Sequence, residues 1–164
     1  MKLKNEIKYM KPNQVVSNFL SNIEKKEFKK ANDLLTEDFT FKGPIIDPLD
    51  KAEYMKLNKS LLKGLSDFNY NASNIREENG KIKVNIQITA KHTASIDLQV
   101  INLPSIRTTH KEISVPTEIF EISVTEGKIK KMQSLTPDVV GLIGVLKQLG
   151  PKSPQFNSNK GPAL

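Results

Sequence analysis

The chain has 164 residues, 37% of them apolar and 26% charged, with no cysteine and a formal net charge of +7. That length suits one domain burying about 70% of its unfolded surface. The composition excludes a disordered chain, a disulfide scaffold and a Cys-based zinc site. The charge does not describe a nucleic-acid reader. Residues 1–30 hold eight lysines against three glutamates, and only two of the 25 basic residues are arginine, Arg76 and Arg107. Bidentate base and phosphate contacts call for arginine.

No apolar run approaches the roughly 20 residues of a membrane span. Met1 to Glu6 lead into no apolar signal segment, so a cytoplasmic protein is the expectation. The expected divisions are a basic arm over 1–11, one domain over 12–150, and a turn-rich tail over 151–164.

From Pro12, the residues Val15, Val16, Phe19, Leu20 and Ile23 recur at helical spacing, with proline at a tolerated first-turn position. Charge interrupts the period between Glu24 and Lys30, and Phe28, Ala31, Leu34 and Leu35 resume it as a second helix or a bent continuation of the first. Glu37 to Lys42 reads as a strand stopped by Gly43-Pro44. Asp50 and Glu53 form a capping-box start for a third helix that ends at Gly64.

The middle of the chain changes to period two. A strand over Phe68 to Glu77 reaches a hairpin turn at Asn79-Gly80. Ile82, Val84, Ile86 and Ile88 then share one face of the next strand. In a third strand, His110 to Val124, the apolar phase is odd at Ile113 and Val115 but even at Phe120 and Ile122. That slip predicts a bulge near Thr117 to Ile119. Glu126-Gly127 turns into a fourth strand, Lys128 to Leu135, and Thr136-Pro137-Asp138 starts a last helix that ends at Gly150.

Val15-Val16-Ser17-Asn18-Phe19-Leu20, the Gly127-Lys128-Ile129 hairpin, Asp138 and Leu146-Lys147-Gln148-Leu149-Gly150 together resemble the SnoaL-like polyketide cyclase family, within the nuclear transport factor 2-like superfamily. The resemblance spans roughly residues 12–150. It implies an α+β fold in which a curved antiparallel sheet wraps around N-terminal helices, with a C-terminal helix and a cone-shaped cavity. Enzymes of that family close polyketide rings without metal or cofactor, so none is expected here. A carboxylate in an apolar pocket serves as their general acid/base, because loss of water raises its pKa toward neutrality.

Glu118 is the candidate carboxylate, with Glu121 a weaker one; the phase slip leaves open whether Glu118 faces the interior or a solvated sheet face. His92 follows Ile86, Ile88 and Ala90 in phase and opens His92-Thr93-Ala94-Ser95, similar to the family's pattern. It is a candidate to polarise a carbonyl, or a hydrogen-bonded structural histidine. Phe41, Tyr54, Met55 and Gln133 are candidate ligand contacts, in a site suited to a small apolar organic molecule. His110 is expected to be exposed. With only two histidines, 18 residues apart, a metal site is not expected.

Two features depart from the family pattern. Lys130-Lys131-Met132-Gln133 stands where active members carry an acidic residue and a His or Trp. The loop over 103–109 also lacks the family's glycine. Both leave open a non-catalytic binder or dimerisation module on the same scaffold. The apolar run Ile96, Leu98, Val100, Ile101, Leu103 and Ile106 is expected to bury itself in a homodimer or to fold over the site as a lid, the dimer being favoured.

Overall fold

The structure, a computed structural model, describes residues 9–43, 47–136 and 141–149. Most of the basic arm, the tail over 151–164, and the helix-start residues Pro137 and Asp138 lie outside them. Helix α1 (Pro12–Glu24) buries the five apolar residues of its stripe, and Lys26 in left-handed backbone then turns the chain into the short α2 (Phe28–Asn32). Strands β1 (Leu35–Lys42) and β2 (Leu49–Asp50) lead to α3 (Lys51–Gly64). The α3 start is the expected capping box: Asp50 accepts from the Glu53 N–H, and Glu53 accepts from the Asp50 N–H.

Among the described residues, the remaining elements are β3 (Leu65–Asn69), β4 (Ser73–Glu78), β5 (Lys81–Ile86), β6 (Thr89–His92), a 3-10 turn (Gln99–Ile101), β7 (Glu112–Ser114), β8 (Glu118–Thr125), β9 (Lys128–Ser134) and α4 (Gly141–Leu149). Among the described residues no helix is long and apolar enough to cross a membrane.

The expectation of one curved antiparallel sheet forming a cone is corrected by the strand pairing. Two open sheets are present: six strands in the order β2-β1-β9-β8-β5-β4, and three in the order β3-β6-β7. The larger sheet is mixed, since β1 runs parallel to β9. Three segments expected as continuous strands each break at one level. After β3 the backbone turns at Asn71, with φ +47. Between β5 and β6 the Gln87 N–H leaves the ladder to donate to the Tyr70 carbonyl. After β7 comes Pro116, which has no N–H for the ladder.

The phase slip near Thr117 is thus a break between sheets, and not a bulge. Within β8 the register with β5 runs unbroken from Glu118↔Ile86 to Ile122↔Ile82. The Gln87 side chain stitches the corner by donating to the Val115 carbonyl, while Asn71 donates to the Gln87 carbonyl.

Between the large sheet and the helices, aromatic and aliphatic side chains form a core. Tyr54 of α3 stacks on Phe41 at 4.7 Å between ring centroids and lies 5.2 Å from Phe39. Phe19, Phe120 and Met132 are buried in the same core. The segment over 95–106 folds back on its own chain. Ile96 pairs with Ile106, and Ile96 and Leu98 are fully buried. Val100, Ile101, Leu103 and Ile106 pack on the core while staying partly exposed.

Candidate functional site

Register decides which side chains of the large sheet meet. Glu118, Phe120 and Ile122 alternate toward the core, opposite Ile86, Val84 and Ile82. Phe120 pairs with Ser134 and Ile122 with Met132, so those two β9 residues share that face. Gln133 pairs with Glu121, and both project from the other side. The sheet therefore brings Glu118, Ser134 and Met132 together and turns Gln133 and Glu121 away.

Glu118 is 3% exposed. The Ser134 hydroxyl donates to its Oε2 at 2.7 Å, while Oε1 is buried without a partner. Burial raises the carboxyl pKa to about 7, and the Ser134 hydrogen bond only partly offsets it. Two buried phenols lie within electrostatic reach. Tyr54 places its hydroxyl 3.4 Å from the Met132 sulfur. Burial holds its pKa well above the usual phenol value, with the charge of Glu118 adding to the rise. Tyr70, at the break between β3 and β4, is raised first by burial and then by Tyr54, Glu24 and Glu118. Its backbone N–H donates to Glu24 Oε2 at 2.8 Å, tying this corner to α1.

Of the expected ligand contacts, Tyr54 is within electrostatic reach of Glu118, and Phe41 stacks on Tyr54. Met55 is buried in the same core, and Gln133 is outside the cluster. Tyr70 and Ser134 are the members that sequence reasoning missed. Tyr70 falls inside what reads as one continuous strand, and the role of Ser134 follows only from the pairing of β9 with β8.

His92 points inward as its phase predicts and is fully buried, but it belongs to the smaller sheet, opposite Leu65. Six residues separate it from Ile86, the partner of Glu118, a span of at most about 20 Å in extended chain. Neither group contributes to the other's pKa shift. His92 and Glu118 thus stand on different sheets.

Thr109 meets the histidine instead. Its N–H donates to His92 Nδ1 at 3.1 Å, and its hydroxyl lies 2.8 Å from the same nitrogen. A nitrogen that accepts a backbone N–H carries no proton, so the imidazole hydrogen sits on Nε2. Burial lowers the His92 pKa, opposed by the nearby Ala94 backbone, although Nε2 makes no hydrogen bond of ordinary geometry. His110 is exposed, as expected. Among the described residues no group of three or more His, Asp or Glu side chains could hold a metal ion.

A family model for the NTF2-like domain matches residues 10–111. The chain belongs to the NTF2-like family. No curated protein is significantly similar to it in sequence. Among solved structures, the candidate hydroxylase AclR of Streptomyces galilaeus superposes with a TM-score of 0.66 at 15% identity, over 85% of this chain and 95% of that one. A candidate SnoaL-like polyketide cyclase from Jannaschia sp. CCS1 gives 0.67 at 11% identity, over 88% and 99%. An LEH-like epoxide hydrolase of M. tuberculosis gives 0.60 at 10% identity, over 84% and 88%. At these identities the likeness is one of fold, and an NTF2-like fold carries many chemistries.

Proposed function

We propose that this NTF2-like chain is an acid/base catalyst of cyclase or isomerase type, working without a cofactor on a small, neutral, apolar molecule with an enolisable carbonyl. Glu118 is the proton shuttle. The observation that carries the reading is the state of that carboxyl: nearly buried, shifted to a pKa of about 7, with one oxygen held and the other free. A group titrating near neutrality both takes and returns a proton there.

In the reaction, the C–H bond beside the substrate carbonyl breaks. Its proton goes to Glu118 and its electron pair moves onto the carbonyl oxygen. Return of the proton at another carbon isomerises the molecule; attack of the enolate carbon on a second carbonyl closes a ring, and the alkoxide formed on that carbonyl oxygen takes the proton back from Glu118. Tyr54 and Tyr70, kept protonated by their raised pKa values, supply O–H groups for the developing oxyanion. Phe41 and Met55 supply apolar surface. No lysine or arginine is among the causes of the Glu118 shift, which favours a neutral substrate over an anion.

The test is α-proton exchange in D2O, followed by NMR over a panel of neutral apolar ketones. Wild type should exchange at least one of them, and Glu118→Gln should slow that exchange by about 10²-fold or more. Equal rates in the two proteins would end the reading.

A second reading, a dimerisation module without catalysis, draws on Val100, Ile101, Leu103 and Ile106, which stay partly exposed beside one another in sequence. Sedimentation velocity on wild type and on Val100→Lys with Leu103→Lys distinguishes the two. A dimer lost in the variant while ketone exchange is absent from wild type would favour this reading.

A further inference from the structure

We infer that Ser134 is a positioning residue for Glu118, tying down Oε2 so that Oε1 is the oxygen that receives and returns the substrate proton. This rests on Glu118 being the shuttle, and it names the atom and the group that fixes it.

The argument begins with how firmly Ser134 is placed. It ends β9 opposite Phe120, and the next residue, Leu135, donates its N–H to the Ile119 carbonyl. The Ile119 N–H in turn donates to the Thr136 hydroxyl at 2.9 Å. Hydrogen bonds on both sides of Ile119 thus lock the end of β9 to the start of β8. Ser134 and Glu118 sit within that lock, so their separation of 2.7 Å is set by backbone and not by loose side chains.

The Ser134 hydroxyl has one hydrogen and two acceptors, Glu118 Oε2 at 2.7 Å and the Thr136 carbonyl at 3.3 Å. While Glu118 is ionised, the charged acceptor draws the hydrogen. Once Oε1 has taken a proton, Oε2 becomes a weaker acceptor and the Thr136 carbonyl is within reach. The serine can follow the change of charge by rotating a hydrogen, with no movement of heavy atoms. Oε1 has no partner to compete with a substrate in either state.

Among the described residues, the ionisable groups within electrostatic reach of this carboxyl are Tyr54 from α3 and Tyr70 from the β3–β4 link, with Glu24 of α1 beyond Tyr70. Lys81 and Lys83 of β5 alternate to the other face of the sheet, as does Lys131 beside Met132 on β9. Among the described residues, no cation therefore takes over the role of the serine. A donor to the ionised form favours that form, so removing it should raise the midpoint of Glu118.

The experiment follows the Glu118 carboxyl carbon by 13C NMR from pH 4 to pH 9, in wild type, Ser134→Ala and Ser134→Thr. α-Proton exchange of 2-tetralone in D2O is measured on the same samples. Ser134→Ala should move the midpoint up by about one pH unit. The pH profile of exchange should move with it, and Ser134→Thr, which keeps the hydroxyl, should restore both. An unmoved midpoint in Ser134→Ala, or no recovery in Ser134→Thr, overturns the role of Ser134 whatever the exchange rates are. If the midpoints shift as expected but wild type exchanges no ketone, Glu118 is not the shuttle, and the assignment of Oε1 falls with it.

Discussion

Glu118→Gln should change how stability depends on pH, and the sign follows from the direction of the pKa shift. In the unfolded chain a glutamate titrates near its ordinary value of 4.5, whereas in the folded chain Glu118 titrates near 7. Between those values the folded state holds a proton that the unfolded state has lost. Stability therefore falls as pH rises through this window, and it levels off above the folded midpoint. The shift of about 2.5 units corresponds to about 3 kcal/mol at 1.36 kcal/mol per unit.

The amide of Glu118→Gln does not titrate, so this slope should vanish from the variant. The assay is urea unfolding of both proteins at half-unit steps from pH 4 to pH 8.5, compared as a difference so that all other titrating groups cancel. Wild type should lose about 3 kcal/mol relative to the variant across the window. A flat difference would mean that Glu118 is solvated in the folded state, and the acid/base proposal would lose its physical basis.

Two further outcomes follow from the smaller sheet. His92 is held neutral, so the unfolded chain takes up a proton near pH 6.5 that the folded chain resists. Wild type should lose stability relative to His92→Gln as pH falls below about 6.5, the opposite sign to Glu118, and 15N NMR should show Nδ1 without a proton; a protonated Nδ1 would refute the Thr109 contact. At Gly64 an added Cβ would lie 2.5 Å from Ile96 Cγ1 and 2.6 Å from the Ala94 carbonyl oxygen. Gly64→Ala should cost about 1–3 kcal/mol in urea unfolding and speed amide exchange over residues 93–106, and a variant as stable as wild type would show that this segment is not packed on α3.

What the sequence made legible, and what it hid, divides along the range of the interactions involved. The α1 stripe, the α3 capping box and the Asn79-Gly80 turn are local patterns, and each appears where its residues place it. The phase slip between Val115 and Phe120 was equally visible, but its meaning was not. A one-residue change of face reads as a bulge when the strand is taken alone. Only the neighbouring breaks at Asn71 and Gln87 show that three strands part at one level and divide the fold into two sheets.

The candidate site suffered from the same limit. Period two turned His92 inward, as found, but left the direction of Glu118 open, and only the structure shows it buried. It could not say that the corner between them assigns one to each sheet. Tyr70 and Ser134 had no motif to mark them, because each acquires its role from other elements: Ser134 from β8, and Tyr70 from α1, α3 and β8. The needs of the corner do not account for the carboxyl. A strand leaving a sheet exposes backbone groups that need partners, and Gln87, Asn71, Glu24 and Thr136 each supply one nearby. Glu118 accepts a side-chain hydroxyl and supplies no backbone group among these contacts, and its Oε1 remains unpartnered. A buried oxygen without a partner costs on the order of 1–3 kcal/mol, and the proposed proton transfer is a task that would account for that cost.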